Sequence, residues 1–265
     1  MDSSVNISAV IITFNEERNL GRCLESLNSV ADEIVVVDSF STDRTEEISR
    51  AQNAVFIQHS FVGHVEQKNY AVSCASYDHI LSLDADEVLS DKLTQSILAA
   101  KGNWKYDGYI FNRLTNYCGK WIRHCGWYPD AKLRLWDRRK GRWGGINPHD
   151  RVIMGNGCRT RHINGDLLHY SYPNIRRHLS QMNSFSDIAS RAAFESGRRV
   201  NFLVDILLNP MLTFLKKYFL KLGILDGCEG FFISIHSAYG KFLKYTKLWE
   251  LNRPEKPLKS GSTKK

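Results

Sequence analysis

Carboxylates that could bind a cation follow one of the apolar runs in this 265-residue sequence. Asp84, Asp86 and Glu87 come directly after the run HILSL. Mg²⁺ or Mn²⁺ needs only one or two protein carboxylates when water and substrate phosphates supply its other ligands. A different interpretation is an acidic turn that complements the dipole of a helix predicted over residues 91–100. The pattern therefore indicates either a metal site or a turn that leads into a helix.

Three further residues are candidates for chemistry. Asp38 ends the run EIVVVD, where its carboxylate could accept hydrogen bonds from a ribose or a base, or cap the next helix. Asp150 follows His149 in a glycine-containing loop, where it could take a proton from an incoming hydroxyl or simply shape a turn. His169, in LLHYSY, could ligate a metal or be a structural histidine.

Basic and aromatic side chains alternate between residues 134 and 143. Such a cluster could bind a diphosphate, a phosphorylated sugar or a nucleic acid. Nucleic acid is the least favoured of these three ligands, because the acidic first third of the chain would repel a phosphate backbone. The residues concerned are Arg134, Trp136, Arg138, Arg139, Lys140, Arg142 and Trp143.

The formal net charge of +8 is unevenly distributed along the chain. Residues 1–100 carry a net charge of −10, residues 101–197 carry +10 and residues 198–265 carry +8. An acidic segment suits a metal site, a basic middle suits a phosphorylated ligand and a basic tail suits an anionic surface, unless these are only solvated faces.

The elements that must position these residues follow an alternating pattern. Short apolar runs predict strands over residues 7–13, 33–38, 54–57 and 79–83, with helices over 16–29, 43–52, 65–76 and 91–100. Strands that alternate with helices indicate an α/β protein with a mainly parallel sheet. Ligands then bind outside the carboxyl ends of the strands, where Asn15, Asp38 and Asp84 fall. Shorter strand-like pieces follow over residues 105–170, and three helices are predicted over 174–195, 202–222 and 229–249.

The composition favours a cytoplasmic location. No apolar run is long enough to span a bilayer, and the first 20 residues lack the pattern of a signal peptide. The six cysteines form no CxxC pair, so reduced thiols are expected.

Seven segments in order make up a larger pattern. They are TFNEERNL, VVVDSFSTDRT, EQKNYA, LSLDADE, GWYPDAKLRLWDRR, NPHDRV and LLHYSY. Together they resemble the family 2 inverting glycosyltransferases with a GT-A (Rossmann-like) nucleotide-diphospho-sugar transferase fold. The similarity is greatest to the lipopolysaccharide core biosynthesis group of the WaaE or KdtX type, and it covers residues 7 to about 250.

The resemblance implies roles for individual residues. Asp84 and Asp86 become the DxD pair, ribose-facing and metal-binding respectively, and His169 resembles the late histidine that completes the metal shell. Asp150 occupies the position of the base on the acceptor side. Relatives often have His-Glu where this chain has His149-Asp150, so the carboxylate is one methylene shorter. The remaining nucleotide-sugar contacts implied are Thr13, Asn15, Glu16, Asp38 and Lys68.

The reaction implied is one metal-dependent displacement with inversion, aided by Mg²⁺ or Mn²⁺. The resemblance favours a uridine diphosphate sugar, glucose especially, as donor and a lipid-linked saccharide such as the lipopolysaccharide inner core as acceptor. Alternatives are a transferase that makes exopolysaccharide or a polyprenyl-linked glycan, and a catalytically silent, membrane-bound scaffold with the same fold.

Two domains are expected, a GT-A catalytic domain over residues 1–197 and a basic amphipathic helical tail over residues 198–265. The tail could lie on an anionic membrane, at the inner face of the cytoplasmic membrane, or pack on the catalytic domain. Pro210 and Asp205 argue against a membrane span. The oligomeric state stays open, because an apolar helix face suits a membrane, a domain or another subunit.

Overall fold

The structure, a computed structural model, describes residues 4–146 and 149–253. Asn147 and Pro148 of the NPHDRV segment and the end of the basic tail lie outside the described residues. The chain forms two compact units. The first consists of Met1–Arg123 and Trp127–Ser171, and the second of His124–Gly126 and Tyr172–Lys265. The predicted functional boundary between residues 197 and 198 stays a prediction.

The first unit begins with the alternating elements that the sequence predicts. Their bounds are β1 Ile7–Thr13, α1 Leu20–Leu27, β2 Glu33–Asp38, α2 Thr45–Ala51, β3 Val55–Gln58, α3 His64–Ser73 and β4 His79–Asp84. Strand β1 pairs in parallel with both β2 and β4, and β2 pairs in parallel with β3. The predicted α/β class is confirmed. Helix α1 begins at Leu20, four residues later than predicted, after a turn over residues 17–19.

Antiparallel pairs extend this sheet. Its further strands and its last helix are β5 Glu87–Leu89, α4 Asp91–Gly102, β6 Gly108–Tyr117, β7 Lys120–Trp121, β8 Asp130–Asp137 and β11 Thr160–Tyr172. Over the described residues the strand order is β3-β2-β1-β4-β8-β6-β11-β5, with β7 paired to β6. Strands β9 Gly141–Ile146 and β10 His149–Met154 form a separate two-stranded antiparallel ribbon.

Apolar side chains on both faces of the sheet hold the first unit together. Leu20, Leu24 and Leu27 of α1 are fully buried in one core cluster with residues of β1 and β4, as the helical spacing predicts. A second cluster places Trp136 of β8 and Trp143 of the ribbon at 6.1 Å between ring centroids. Burial of each such side chain stabilises the folded state by about 1.5–3 kcal/mol, so the packing on both faces of the sheet stabilises the first unit.

The second unit is helical. It contains α5 Ile175–Glu195, a π-helical stretch Phe202–Leu208, α6 Asn209–Leu215, a second π-helical stretch Lys216–Leu220, a 3₁₀ turn Gly223–Asp226 and α7 Gly227–Leu251. The helix predicted over residues 202–222 is therefore interrupted. Pro210 cannot donate a backbone hydrogen bond, which favours a change of helix type there. No helix among the described residues is long and apolar enough to cross a membrane.

Candidate functional site

The parallel register of the first unit brings three strand ends together. Thr13 pairs with Asp38 across β1 and β2, and Ile12 pairs with Asp84 across β1 and β4. The carboxyl ends of these strands therefore lie at one edge of the sheet, as the alternating pattern predicts.

A cavity of about 230 Å³ opens at this edge, and we call it the strand-end pocket. It contains four of the predicted site residues, Thr13, Glu16, Asp84 and Asp86. Its other lining residues are Ile12, Phe14, Ser39, Phe61, His64 and Ala85. Phe14 and Phe61 are 57% and 52% exposed, which leaves aromatic surface available to a planar ligand.

Three lining residues with aromatic rings, Phe14, Phe61 and His64, were not among the predicted site residues. Phe14 directly follows β1, and Phe61 and His64 follow β3. The ring centroids of Phe61 and His64 lie 5.1 Å apart. Aromatic residues in loops that follow predicted parallel strands were the signal that could have identified them.

Asp38 and Asn15 do not line the strand-end pocket. Asp38 is fully buried, and its carboxylate accepts hydrogen bonds from the Ser41 backbone N–H, at 2.7 Å, and from the Ser41 hydroxyl. Asn15 accepts a 2.9 Å hydrogen bond from the Thr42 N–H. Both side chains therefore hold the turn after β2, and their predicted contact with a nucleotide stays a prediction.

Asp86 and His169 form the pair predicted to hold a metal ion. The Asp86 Oδ2 and His169 Nε2 atoms are 3.2 Å apart. This proximity arises because β11 pairs antiparallel with β5, which puts His169 opposite Glu87. Their oxygen and imidazole donors suit Mn²⁺ or Mg²⁺ with several ligands taken from substrate and water. Among the described residues no group of three His, Cys, Asp or Glu side chains could hold a metal, so a cation here needs ligands from its substrate.

A second cavity, of about 450 Å³, lies between β8 and the ribbon, and we call it the inner cavity. Asp84 lines both this cavity and the strand-end pocket. Asp150, the predicted base, also lines the inner cavity. The other lining residues are Lys68, Arg113, Ala131, Lys132, Leu133, Arg134, Trp143, Arg151 and Val152.

Lys68 joins the two carboxylates of the inner cavity. Its Nζ lies 2.8 Å from Asp84 Oδ1 and 2.7 Å from Asp150 Oδ2. The same atom is 4.3 Å from the centre of the Trp143 ring, and the residue is 4% exposed. Lys68 is thus placed on the inner cavity and not on the strand-end pocket, although the resemblance implied a nucleotide contact.

Two cations keep Asp84 ionised. Arg134 donates from Nη2 to Asp84 Oδ2 at 2.9 Å and to Glu87 Oε1 at 3.1 Å. Burial opposes ionisation of Asp84, but Lys68 and Arg134 outweigh burial and hold the pKa of Asp84 well below its ordinary value. Burial likewise opposes the charge on Arg134, and Glu87 and Asp84 outweigh it and raise the Arg134 pKa.

The predicted basic cluster divides into two parts. Arg134 lines the inner cavity, whereas Arg138 and Arg139 serve the fold. Arg138 donates to the backbone oxygens of Val72 and Ala75 at 3.1 and 2.7 Å. Arg139 pairs with Asp137 at 2.7 Å. Neighbouring acceptors bind these two arginines, and their predicted contact with a phosphorylated ligand stays a prediction.

Several known proteins are similar to this chain. The family model for glycosyl transferase family 2 matches residues 8–164. An uncharacterised glycosyltransferase of Rickettsia typhi is 30% identical over 257 residues, which cover 93% of this chain and 87% of the relative. The lipopolysaccharide core biosynthesis glycosyltransferase LpsC of Rhizobium meliloti is 30% identical over 257 residues, which cover 92% of both chains.

Solved structures show a shared fold. The mannosyltransferase PcManGT of Pyrobaculum calidifontis, in complex with GDP-Man and Mn²⁺, has a TM-score of 0.55 and is 13% identical. The match covers 94% of this chain and 88% of that one. The GT-A fold that the sequence motifs predict is thereby confirmed.

Proposed function

The chain belongs to glycosyl transferase family 2, and from that premise we propose that it transfers a sugar from a uridine diphosphate sugar to a lipid-linked saccharide. Glucose is the first donor sugar to test, and the inner core of lipopolysaccharide the first acceptor. One observation carries the proposal. Asp84 lines both the strand-end pocket and the inner cavity, so a donor that contacts Asp84 from the pocket side places its sugar on the side of Asp150.

The strand-end pocket is the proposed nucleotide site. Phe14 and Phe61 offer exposed rings on which a base can stack. Thr13 and Glu16 supply polar atoms at the same wall, and the ionised Asp84 can accept hydrogen bonds from ribose hydroxyls.

Asn15 and Asp38 stabilise a turn next to this pocket. Both hold the turn after β2 through hydrogen bonds to Ser41 and Thr42. That turn begins at Ser39, which lines the pocket. We assign the two residues to shaping the site, and a direct nucleotide contact is a separate part of the proposal.

Asp86 and His169 would hold Mg²⁺ or Mn²⁺ together with the diphosphate of the donor. Their 3.2 Å separation brings a carboxylate oxygen and an imidazole nitrogen to the same place. When bound, such a cation neutralises negative charge on the leaving diphosphate. The description of PcManGT with Mn²⁺ supports this choice of metal.

Asp150 is the proposed base. The acceptor hydroxyl oxygen attacks the anomeric carbon on the face opposite the diphosphate, the bond to the diphosphate breaks and the leaving group keeps the electron pair. The hydroxyl proton goes to Asp150, which must lie within hydrogen-bond reach of it. The ion pair with Lys68 holds one carboxylate oxygen of Asp150 at 2.7 Å and leaves the other for the acceptor.

The relative LpsC, described as a lipopolysaccharide core biosynthesis glycosyltransferase, supports the proposed acceptor and location. An acceptor of that kind is anchored in a membrane. We therefore place the protein at the inner face of the cytoplasmic membrane as a peripheral protein, next to an anionic lipid surface.

Release of uridine diphosphate tests the proposal. The purified chain is mixed with Mn²⁺, a panel of nucleotide sugars and a lipopolysaccharide with a truncated core, intact or delipidated. We expect one uridine diphosphate sugar to support release that depends on acceptor and is lost in Asp150→Asn. Release that needs no lipid would favour a soluble acceptor, and an absence of turnover with every donor would refute the activity.

A further inference from the structure

The second unit carries an apolar surface that its own core does not cover. Residues 202–225, which we call the apolar-basic segment, contain 13 exposed large apolar side chains. Leu220 is the most exposed at 79%, followed by Leu225 at 63% and Phe202 at 62%. By contrast, the described residues of the first unit contain seven such side chains. An apolar patch of this density is typical of an interaction surface.

The segment is only partly covered by its own unit, since Phe214 and Tyr218 are half-buried near Phe231 of α7, at 5.8 and 5.6 Å between ring centroids. None of residues 209–220 is buried, although this stretch includes α6 and the following π-helical turn. A helix that supplied its apolar face to a protein core would show buried positions at regular spacing. These apolar side chains therefore suit a partner other than the core of the second unit.

The exposed charge of the segment is positive. Lys216 and Lys221 are exposed, and Lys217 is half-buried, where burial and then the neighbouring lysines lower its pKa. The single acid of the segment, Asp205, is 5% exposed and accepts a 3.0 Å hydrogen bond from Arg198. Lysines beside leucine and phenylalanine side chains match an anionic interface that has an apolar layer beneath it.

We propose that the apolar-basic segment is a membrane-docking element that lies in the headgroup layer of an anionic bilayer, with its leucine and phenylalanine side chains among the acyl chains. A second copy of the chain is the main rival occupant. Symmetric pairing of this surface would bring the lysines of two copies together, which like-charge repulsion disfavours. The inference rests on the proposed location at an anionic membrane but not on the transfer reaction, so release of uridine diphosphate and binding to vesicles can fail separately.

Vesicle sedimentation with the full chain tests the proposal. The probes are phosphatidylcholine vesicles with and without about 30% phosphatidylglycerol. We expect binding to the anionic vesicles that decreases with added salt. Leu220→Gln with Leu225→Gln should lower the partition coefficient about tenfold or more, because two apolar side chains no longer enter the bilayer.

Matched variants separate charge, apolar contact and folding. Lys216→Glu with Lys221→Glu should lower binding at least about 25-fold, since each lysine near the surface contributes about fivefold. Phe185→Gln with Ile188→Gln changes two exposed apolar residues of α5, at 45% and 53% exposure, and should leave binding unchanged. Circular dichroism checks that each variant is folded, and the helical signal should match the wild type.

Three outcomes would overturn the proposal. The first is an absence of binding to anionic vesicles by the folded wild type. The second is an equal loss of binding in the α5 variant, which would place the contact elsewhere. The third is a dimer in sedimentation velocity that Leu220→Gln with Leu225→Gln dissociates, because the surface would then join two copies of this chain.

Discussion

Replacing Lys68 with methionine removes the cation that joins Asp84 to Asp150. The Nζ atom contacts the two carboxylates at 2.8 and 2.7 Å, and the residue is 4% exposed. Methionine is an unbranched apolar side chain, so it leaves the carboxylates without the charge between them and also removes the contact of the ammonium with the Trp143 ring. Arg134 continues to bind the other carboxylate oxygen of Asp84, Oδ2, at 2.9 Å.

The size of the effect follows from these distances. The two carboxylate oxygens that share Lys68 lie no more than about 5.5 Å apart, the sum of the two contacts, so they repel each other once the ammonium is gone. We expect the pKa of Asp84 to rise, because burial then opposes ionisation with Arg134 as the main remaining cation. Loss of one partner of a buried ion pair should also lower the free energy of unfolding by about 3 kcal/mol.

The assay is the pH dependence of donor KM and kcat between about pH 5 and pH 9. Because the pKa of Asp84 is well below its ordinary value in the wild type, Asp84 stays ionised and the donor KM should be flat over this range. In Lys68→Met the raised pKa means that Asp84 gains a proton as the pH falls, so the donor KM should increase on the acid side. We also expect kcat to fall about 10- to 100-fold, because Asp150 loses the contact that positions it.

Two variants serve as controls. Lys68→Arg keeps a cation between the carboxylates and should preserve the flat pH profile. Lys101→Met removes a lysine that pairs with Asp32 at 2.7 Å and lines neither cavity, so it should affect stability alone. A Lys68→Met variant with wild-type kcat and a flat donor KM would refute the reasoning.

Three further predictions concern single residues. Asp150→Asn should lower kcat about 10²- to 10⁴-fold with little change in donor affinity, measured by release of uridine diphosphate; unchanged kcat would exclude Asp150 as the base. Phe61→Ala should weaken binding of uridine diphosphate by about 1–3 kcal/mol in calorimetry, and an unchanged affinity would argue against stacking on that ring. Burial, and then the neighbouring His236, lower the pKa of His178 to about 4, so the unfolded state binds more protons and stability is lost as the pH falls below about 6.5. The free energy of unfolding in urea should therefore be about 2 kcal/mol lower near pH 5 than near pH 7.5. His178→Gln should reduce this difference, and a variant that kept the full difference would show that it has another origin.

The core of the fold could be predicted from the sequence because local patterns and the global fold agree. The first four strands and the helices between them carry alternating apolar and amphipathic patterns, and parallel pairing follows from that alternation. The interruption of the helix at residues 202–220 was not predicted. Pro210 signals a break, but the type of helix on each side depends on packing that the sequence pattern does not specify.

The positions of Asp84 and Asp86 could be predicted from the strand ends, whereas the contact between Lys68 and Asp150 could not. Asp84 and Asp86 follow a strand directly, so their position at the sheet edge comes from the topology. The contact between Lys68 and Asp150 joins residues 82 positions apart and needs the β9–β10 ribbon to fold against α3. Arg138 and Arg139 look like ligand-binding residues until Asp137 and the end of α3 are seen to bind them.

Calorimetric binding of uridine diphosphate sugars, with and without Mn²⁺, tests the central claim most directly. The wild type is compared with Asp86→Ala, which removes the carboxylate that lies 3.2 Å from His169 Nε2. We predict that the wild type binds one uridine diphosphate sugar only in the presence of the metal and that the variant loses this binding. Metal-dependent binding of equal strength in Asp86→Ala, or no binding of uridine, guanosine or thymidine diphosphate sugars by the wild type, would contradict the proposed function.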